Sequence, residues 1–122
     1  MTRRNLLALW LPPLIYLALI FTLSGMAHPP IPKSVPGNYL HYPEYAVLGF
    51  MLARAIQGGE RGRPELSLMV TAFALSAFFG AADEVRQAFV PGRIPDVADW
   101  LRDCGGAAVG VTAWKLWRHL AS

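Results

Sequence analysis

Apolar positions fall into four runs, separated by short breaks rich in proline, glycine and charge. The first covers about 6–27 and is interrupted only by Pro12-Pro13, where lost backbone hydrogen bonds predict a bend. The second, about 39–57, is the weakest span, because His41, Glu44 and Arg54 lie within it. The third, 65–88, carries Ala72, Ala74, Ser76, Ala77, Gly80 and Ala81, small residues that let helices pack closely. The fourth, about 96–118, opens on Asp96, a residue type that caps free backbone N–H groups. The break at 28–37 (HPPIPKSVPG) is stiff and extended. Val90-Pro91-Gly92-Arg93 reverses the chain sharply. A bilayer span needs about 20 mostly apolar residues. The pattern therefore predicts an all-α membrane protein: a compact bundle of four transmembrane helices, one domain over residues 1–122.

Composition sharpens this reading. The chain is 54% hydrophobic and 16% charged, against about 25% charged in a soluble domain. A soluble helical bundle with a large core is the poorer fit. Gly25-Met26-Ala27 resembles a cleavage site, but the run before it exceeds the roughly 7–15 apolar residues of a signal peptide. The first run is read as an uncleaved helix. The net charge of +3 does not point to nucleic acid, since the basic residues sit at the ends of the runs. Cys104 stands alone, which excludes an intrachain disulfide and a CxxC zinc site.

Orientation follows from the basic residues. Arg3, Arg4, Arg54, Arg61, Arg63, Lys115 and Arg118 fall on one side, and Lys33, Arg86, Arg93 and Arg102 on the other. The larger group predicts the cytoplasmic face of the membrane, with both termini inside. Membrane lipids are then the expected partners.

Most of the acids lie in one stretch, 83–110, between two apolar runs. Carboxylates beside a membrane segment are costly unless they face protein, water or a partner, so they mark a candidate site. Asp99, Asp103, Gly106 and Gly110 share one face of the fourth helix, with Asp103 about 6 Å deeper than Asp99. His41, Tyr45 and Gly49 share a stripe of the second helix. Glu84 and Gln87 share a face of the third.

The candidate catalytic residues are Glu84, His41 and Asp99. His41 has the near-neutral ring suited to general acid–base work. Antiparallel packing of helices two and three predicts that His41 faces Glu84, with Tyr45 one turn below. The candidate binding residues are Arg93, Gln87, Asp103 and Tyr45. Arg93 suits either an anion or a salt-bridge network with Glu84, Asp96 or Asp99. Asp99 and Asp103 could share a divalent cation, but no linear metal motif supports it. The plainer reading, a cap plus an interhelical hydrogen bond, is favoured for Asp96, while Asp99 is the better functional candidate because it faces the same way as the glycine stripe. Asp83 is read as a headgroup-zone residue neutralised by Arg86. His28 and His119 read as loop and terminal residues. Trp10, Trp100, Trp114 and Trp117 read as packing and interface anchors. Ser24 has no nucleophile-elbow pattern around it, which argues against a serine hydrolase.

At these residues the chain resembles the VanZ-like membrane family, named for a teicoplanin-resistance protein. The resemblance rests on Asp83-Glu84-x-x-Gln87-x-Phe89-Val90-Pro91-Gly92-Arg93 and Asp99-x-x-x-Asp103-x-x-Gly106-x-x-x-Gly110. It also rests on His41-x-x-x-Tyr45-x-x-Leu48-Gly49 and on Ser24, so it covers nearly the whole chain. The family tends to have an acid where this chain has Asn38, and asparagine where it has Asp103. The resemblance implies an integral membrane protein of the cell envelope, linked to glycopeptide susceptibility. It implies no particular cofactor. The leading expectation is a protein that acts on or binds a lipid or lipid-linked anionic envelope precursor at an outward polar pocket. A scaffold without chemistry is one alternative. A small proton- or ion-coupled transporter is another, and four short helices would need a homo-oligomer to build its path.

Overall fold

A computed structural model describes residues 3–24, 41–59, 64–91 and 97–121. They form four α-helices, α1 (Arg3–Ser24), α2 (His41–Gly59), α3 (Glu65–Gln87) and α4 (Val97–Ala121), and no strand among the described residues. These bounds lie within a few residues of those expected from the apolar runs. The loop at 28–37, and Gly92, Arg93 and Asp96, lie outside the described residues, so the expected cap and the Arg93 pairings do too.

α1 continues through Pro12 and Pro13. Neither proline has an N–H, so the Ala8 and Leu9 carbonyls lose their usual helical donors. Buried Pro13 faces protein instead of the surface. At the other end of the chain's third run, three short backbone bonds tighten the exit from α3: Ala88 to Val85, Phe89 to Arg86 and Val90 to Gln87.

α2 is the hub, packing on α1, α3 and α4, while α3 also packs on α4. Leu17 and Ile20 of α1, Tyr45, Leu48 and Leu52 of α2, Leu68 of α3, and Val111 and Trp114 of α4 belong to one core. Hydroxyls inside the helices bond their own backbone: Ser76 to Ala72 and Thr112 to Ala108, at 2.9 and 2.8 Å. That leaves no hydroxyl proton of theirs facing an apolar surround.

The α2–α4 crossing is set by glycine. A Cβ on Gly106 or Gly110 would run into the backbone of Tyr42 or Ala46, and one on Gly49 would lie 2.8 Å from the Ala107 carbonyl oxygen. The glycine stripe expected to admit a neighbour does so, and the neighbour is α2. The two backbones approach as closely as residues without side chains allow.

Two helices, Asn5–Leu23 and Glu65–Gln87, are long and apolar enough to cross a membrane. α2 and α4 fall short of that measure. The charged residues that lower them are Glu44 and Arg54 in α2 and Asp99, Arg102, Asp103, Lys115 and Arg118 in α4.

Candidate functional site

The site is built where α2 and α4 begin and α3 ends. Close packing at Gly106 and Gly110 brings the first turns of α2 and α4 together, which carries His41 against the acidic face of α4. His41 Nδ1 lies 2.5 Å from Asp103 Oδ1, and Nε2 lies 3.7 Å from Asp99 Oδ2. The imidazole thus sits between two carboxylates one helical turn apart. With Asp103 ionised, the Nδ1–H of His41 donates to it. Nε2 is left beyond hydrogen-bond distance of Asp99, with no hydrogen-bond partner among the described residues.

Both ring nitrogens therefore address α4, where Glu84 of α3 was expected. The physical reason is the crossing: α2 approaches α4 backbone to backbone, and Gly80 of α3 is also turned toward α4. A Cβ at Gly80 would meet Asp103 Oδ2 at 3.0 Å, so α3 closes over the carboxylate that holds His41. Asp103 is 1% exposed. It was expected as a substrate-binding group, and the structure places it against His41.

Asp99 accepts a hydrogen bond from Arg102 Nη1 at 2.6 Å. That bond neutralises the shallower acid and leaves its second oxygen, Oδ2, directed to His41. Trp100 Nε1 donates to the Ala77 carbonyl at 2.9 Å and pins this turn of α4 to α3.

Tyr45 lies one turn below His41 and is fully buried. Its hydroxyl has no hydrogen-bond partner among the described residues. Asp103, Asp83, Glu44 and Glu84 all lie within electrostatic reach of that hydroxyl. A buried polar group without a partner costs free energy, so this hydroxyl is a costly feature of the site.

Asp83 faces protein: it is 4% exposed, on the buried stripe of α3 with Ser76, Gly80 and Gln87. Its spacing from Gly80 and Gln87, i+3 and i−4, was the available signal. Glu84 is half-buried beside it. Arg86 does approach Asp83, at 3.5 Å, but its Nη1 donates to the Phe21 carbonyl of α1 at 3.0 Å and its guanidinium lies over the Phe21 ring. It closes the end of α1 onto α3. Gln87 is buried at the same end. The structure thus joins His41, Asp99 and Asp103 directly, sets Tyr45, Asp83 and Glu84 near them, buries Gln87 at the same end of α3, and leaves Arg93 outside the described residues.

The opposite end of the bundle is a different ionic cluster. Glu65 is met by His119, Lys115 and Arg118, at 2.9, 3.6 and 3.7 Å. His119, read as a terminal residue, ties the end of α4 to the start of α3. Among the described residues no group of three or more His, Cys, Asp or Glu side chains is arranged to hold a metal ion.

This geometry falls on the residues that carried the family resemblance. The model of the VanZ/LLP1 family matches residues 5–118. The chain belongs to the VanZ/LLP1 family. The match takes in all of α2 and α3 and nearly all of α1 and α4, so the His41–Asp99–Asp103 site lies within the VanZ/LLP1 region. Neither the curated proteins nor the solved structures gave a match.

Proposed function

We propose that this VanZ-like protein is a four-span membrane protein whose polar end performs acid–base chemistry on a lipid-linked anionic envelope precursor, with His41 as the proton-transfer group. The observation that carries the reading is the His41 ring, oriented through Nδ1 by Asp103 with Nε2 free of a hydrogen bond among the described residues. A carboxylate on one imidazole nitrogen fixes the ring and leaves the other nitrogen to give or take a proton. In this reading Asp103 is a positioning residue and Asp99 faces the working nitrogen. The Tyr45 hydroxyl and Gln87 bind the polar part of the substrate, Glu84 is a second proton carrier, and Arg93 with Arg102 meets the anion.

Four spans are supported by the surface of the bundle. Leu101, Val109, Leu116 and Leu120 of α4 are exposed, while Asp103 of the same helix is buried. Apolar residues outside and an acid inside suit lipid better than water. The basic residues favour cytoplasmic termini and an outward-facing site. Family membership supports a link to teicoplanin susceptibility.

A second reading has one observation behind it. His41–Asp103 and Trp100–Ala77 are interhelical bonds, and such bonds alone could fix the packing of a scaffold. Purified protein in vesicles, given a lipid-linked phosphate-bearing envelope precursor, separates the two. The proposal expects the precursor to be bound and chemically changed by the wild type, and bound but unchanged by His41→Ala. A precursor that is neither bound nor changed by the wild type contradicts it.

A further inference from the structure

One side of the bundle is open. α1 and α4 flank α2 and do not touch each other among the described residues. Between them runs a groove of about 430 Å³, walled by Pro12 of α1 and by Val109 and Ala113 of α4, with Phe50 and Met51 on its α2 floor. Pro12 and Met51 also border a second apolar groove, of about 520 Å³, along the face of α1. Arg54 is the single charged residue lining either groove.

Arg54 differs from the other cations whose side chains are described. Arg86 has Asp83, Arg102 has Asp99, and Lys115 and Arg118 have Glu65. Arg54 is half-buried and has neither an ion pair nor a hydrogen bond among the described residues. It stands five residues before Gly59, about 7 Å along the axis from the end of α2. A guanidinium at that depth, with apolar walls beside it, matches a phosphate group with an attached hydrocarbon chain.

We infer that the groove between α1 and α4 holds one acyl chain of an anionic phospholipid, whose phosphate pairs with Arg54. The lipid comes from the leaflet at the Gly59 end of α2, opposite the His41 end. It fills the gap that α1 and α4 leave, and it supplies an acid that Arg54 lacks among the described residues. The site is separate from the acid–base site, so either can fail without the other.

The full chain is reconstituted in vesicles of phosphatidylglycerol and phosphatidylethanolamine, then extracted in mild detergent for native mass spectrometry. Helical content is checked by circular dichroism. The wild type is expected to retain one phosphatidylglycerol per chain in preference to phosphatidylethanolamine. Arg54→Gln should lower that retention by about tenfold or more, the worth of a charge-assisted hydrogen bond, and Arg54→Lys should lower it less. Ala113→Trp, which fills the groove and leaves Arg54 in place, should lower it too. Equal retention of the two lipids by the wild type overturns the inference. So does unchanged retention in folded Arg54→Gln, or a lipid-free dimer.

Discussion

His41 and Asp103, sixty-two residues apart, meet at 2.5 Å across the α2–α4 crossing. The contact follows from two glycines deeper in the same interface. Gly106 and Gly110 remove the side chains that would hold the helices apart. Asp103, one turn before Gly106, is thereby brought to the first residue of α2.

The pair should matter to stability in a graded way. Removing one partner of a buried pair costs about 3–5 kcal/mol. Asp103→Ala should therefore lower the unfolding midpoint in micelles strongly. Asp103→Asn keeps an acceptor for the Nδ1–H and should cost much less. Equal losses in the two variants would mean that the hydrogen bond does not hold the helices.

Gly110→Leu should fail to assemble, since a Cβ there already collides with the Ala46 backbone. Overpacking of this kind costs about 1–3 kcal/mol even where neighbours can adjust, and backbone adjusts little. Gly105→Ala is the control, because its Cβ would find the Tyr42 ring at an ordinary 3.5 Å. Thermal unfolding of both purified variants checks the contrast.

Much of this was legible in the chain itself. Four apolar runs with proline and glycine breaks mark α1 to α4, and spacing alone sets Asp99, Asp103, Gly106 and Gly110 on one face. What periodicity cannot say is which helix meets that face. The His41–Glu84 expectation failed there, because both α2 and α3 carry small residues, and only the crossing geometry decides between neighbours. Asp83 and Glu84 are adjacent, so a helical wheel separates them by about 100°, and either could have been the buried acid. The bonds from Arg102 to Asp99 and from Arg86 to the Phe21 carbonyl depend on long side chains whose reach exceeds any local pattern.

Tyr45→Phe divides packing from function. The hydroxyl has no partner among the described residues, so its removal should leave the unfolding free energy within about 1 kcal/mol of wild type or raise it. If the hydroxyl meets substrate, precursor turnover should fall by about tenfold or more. A large loss of stability would show that the hydroxyl has a structural role.

Orientation has a direct test. A cysteine placed at Ser34 should react with a membrane-impermeant thiol reagent added to intact cells, and one at Gly59 should not. Cys104→Ala removes the background thiol. The reverse labelling would put the His41 end of the bundle on the cytoplasmic side.

Proton transfer by the His41 ring has a cellular readout: the teicoplanin susceptibility of cells carrying His41→Gln, with membrane abundance matched to wild type by immunoblot. Glutamine can still donate a hydrogen bond to Asp103, so a structural role survives it, while acid–base transfer does not. His41→Gln is expected to give the susceptibility of cells without the protein. Susceptibility equal to that of cells carrying the wild type would contradict it.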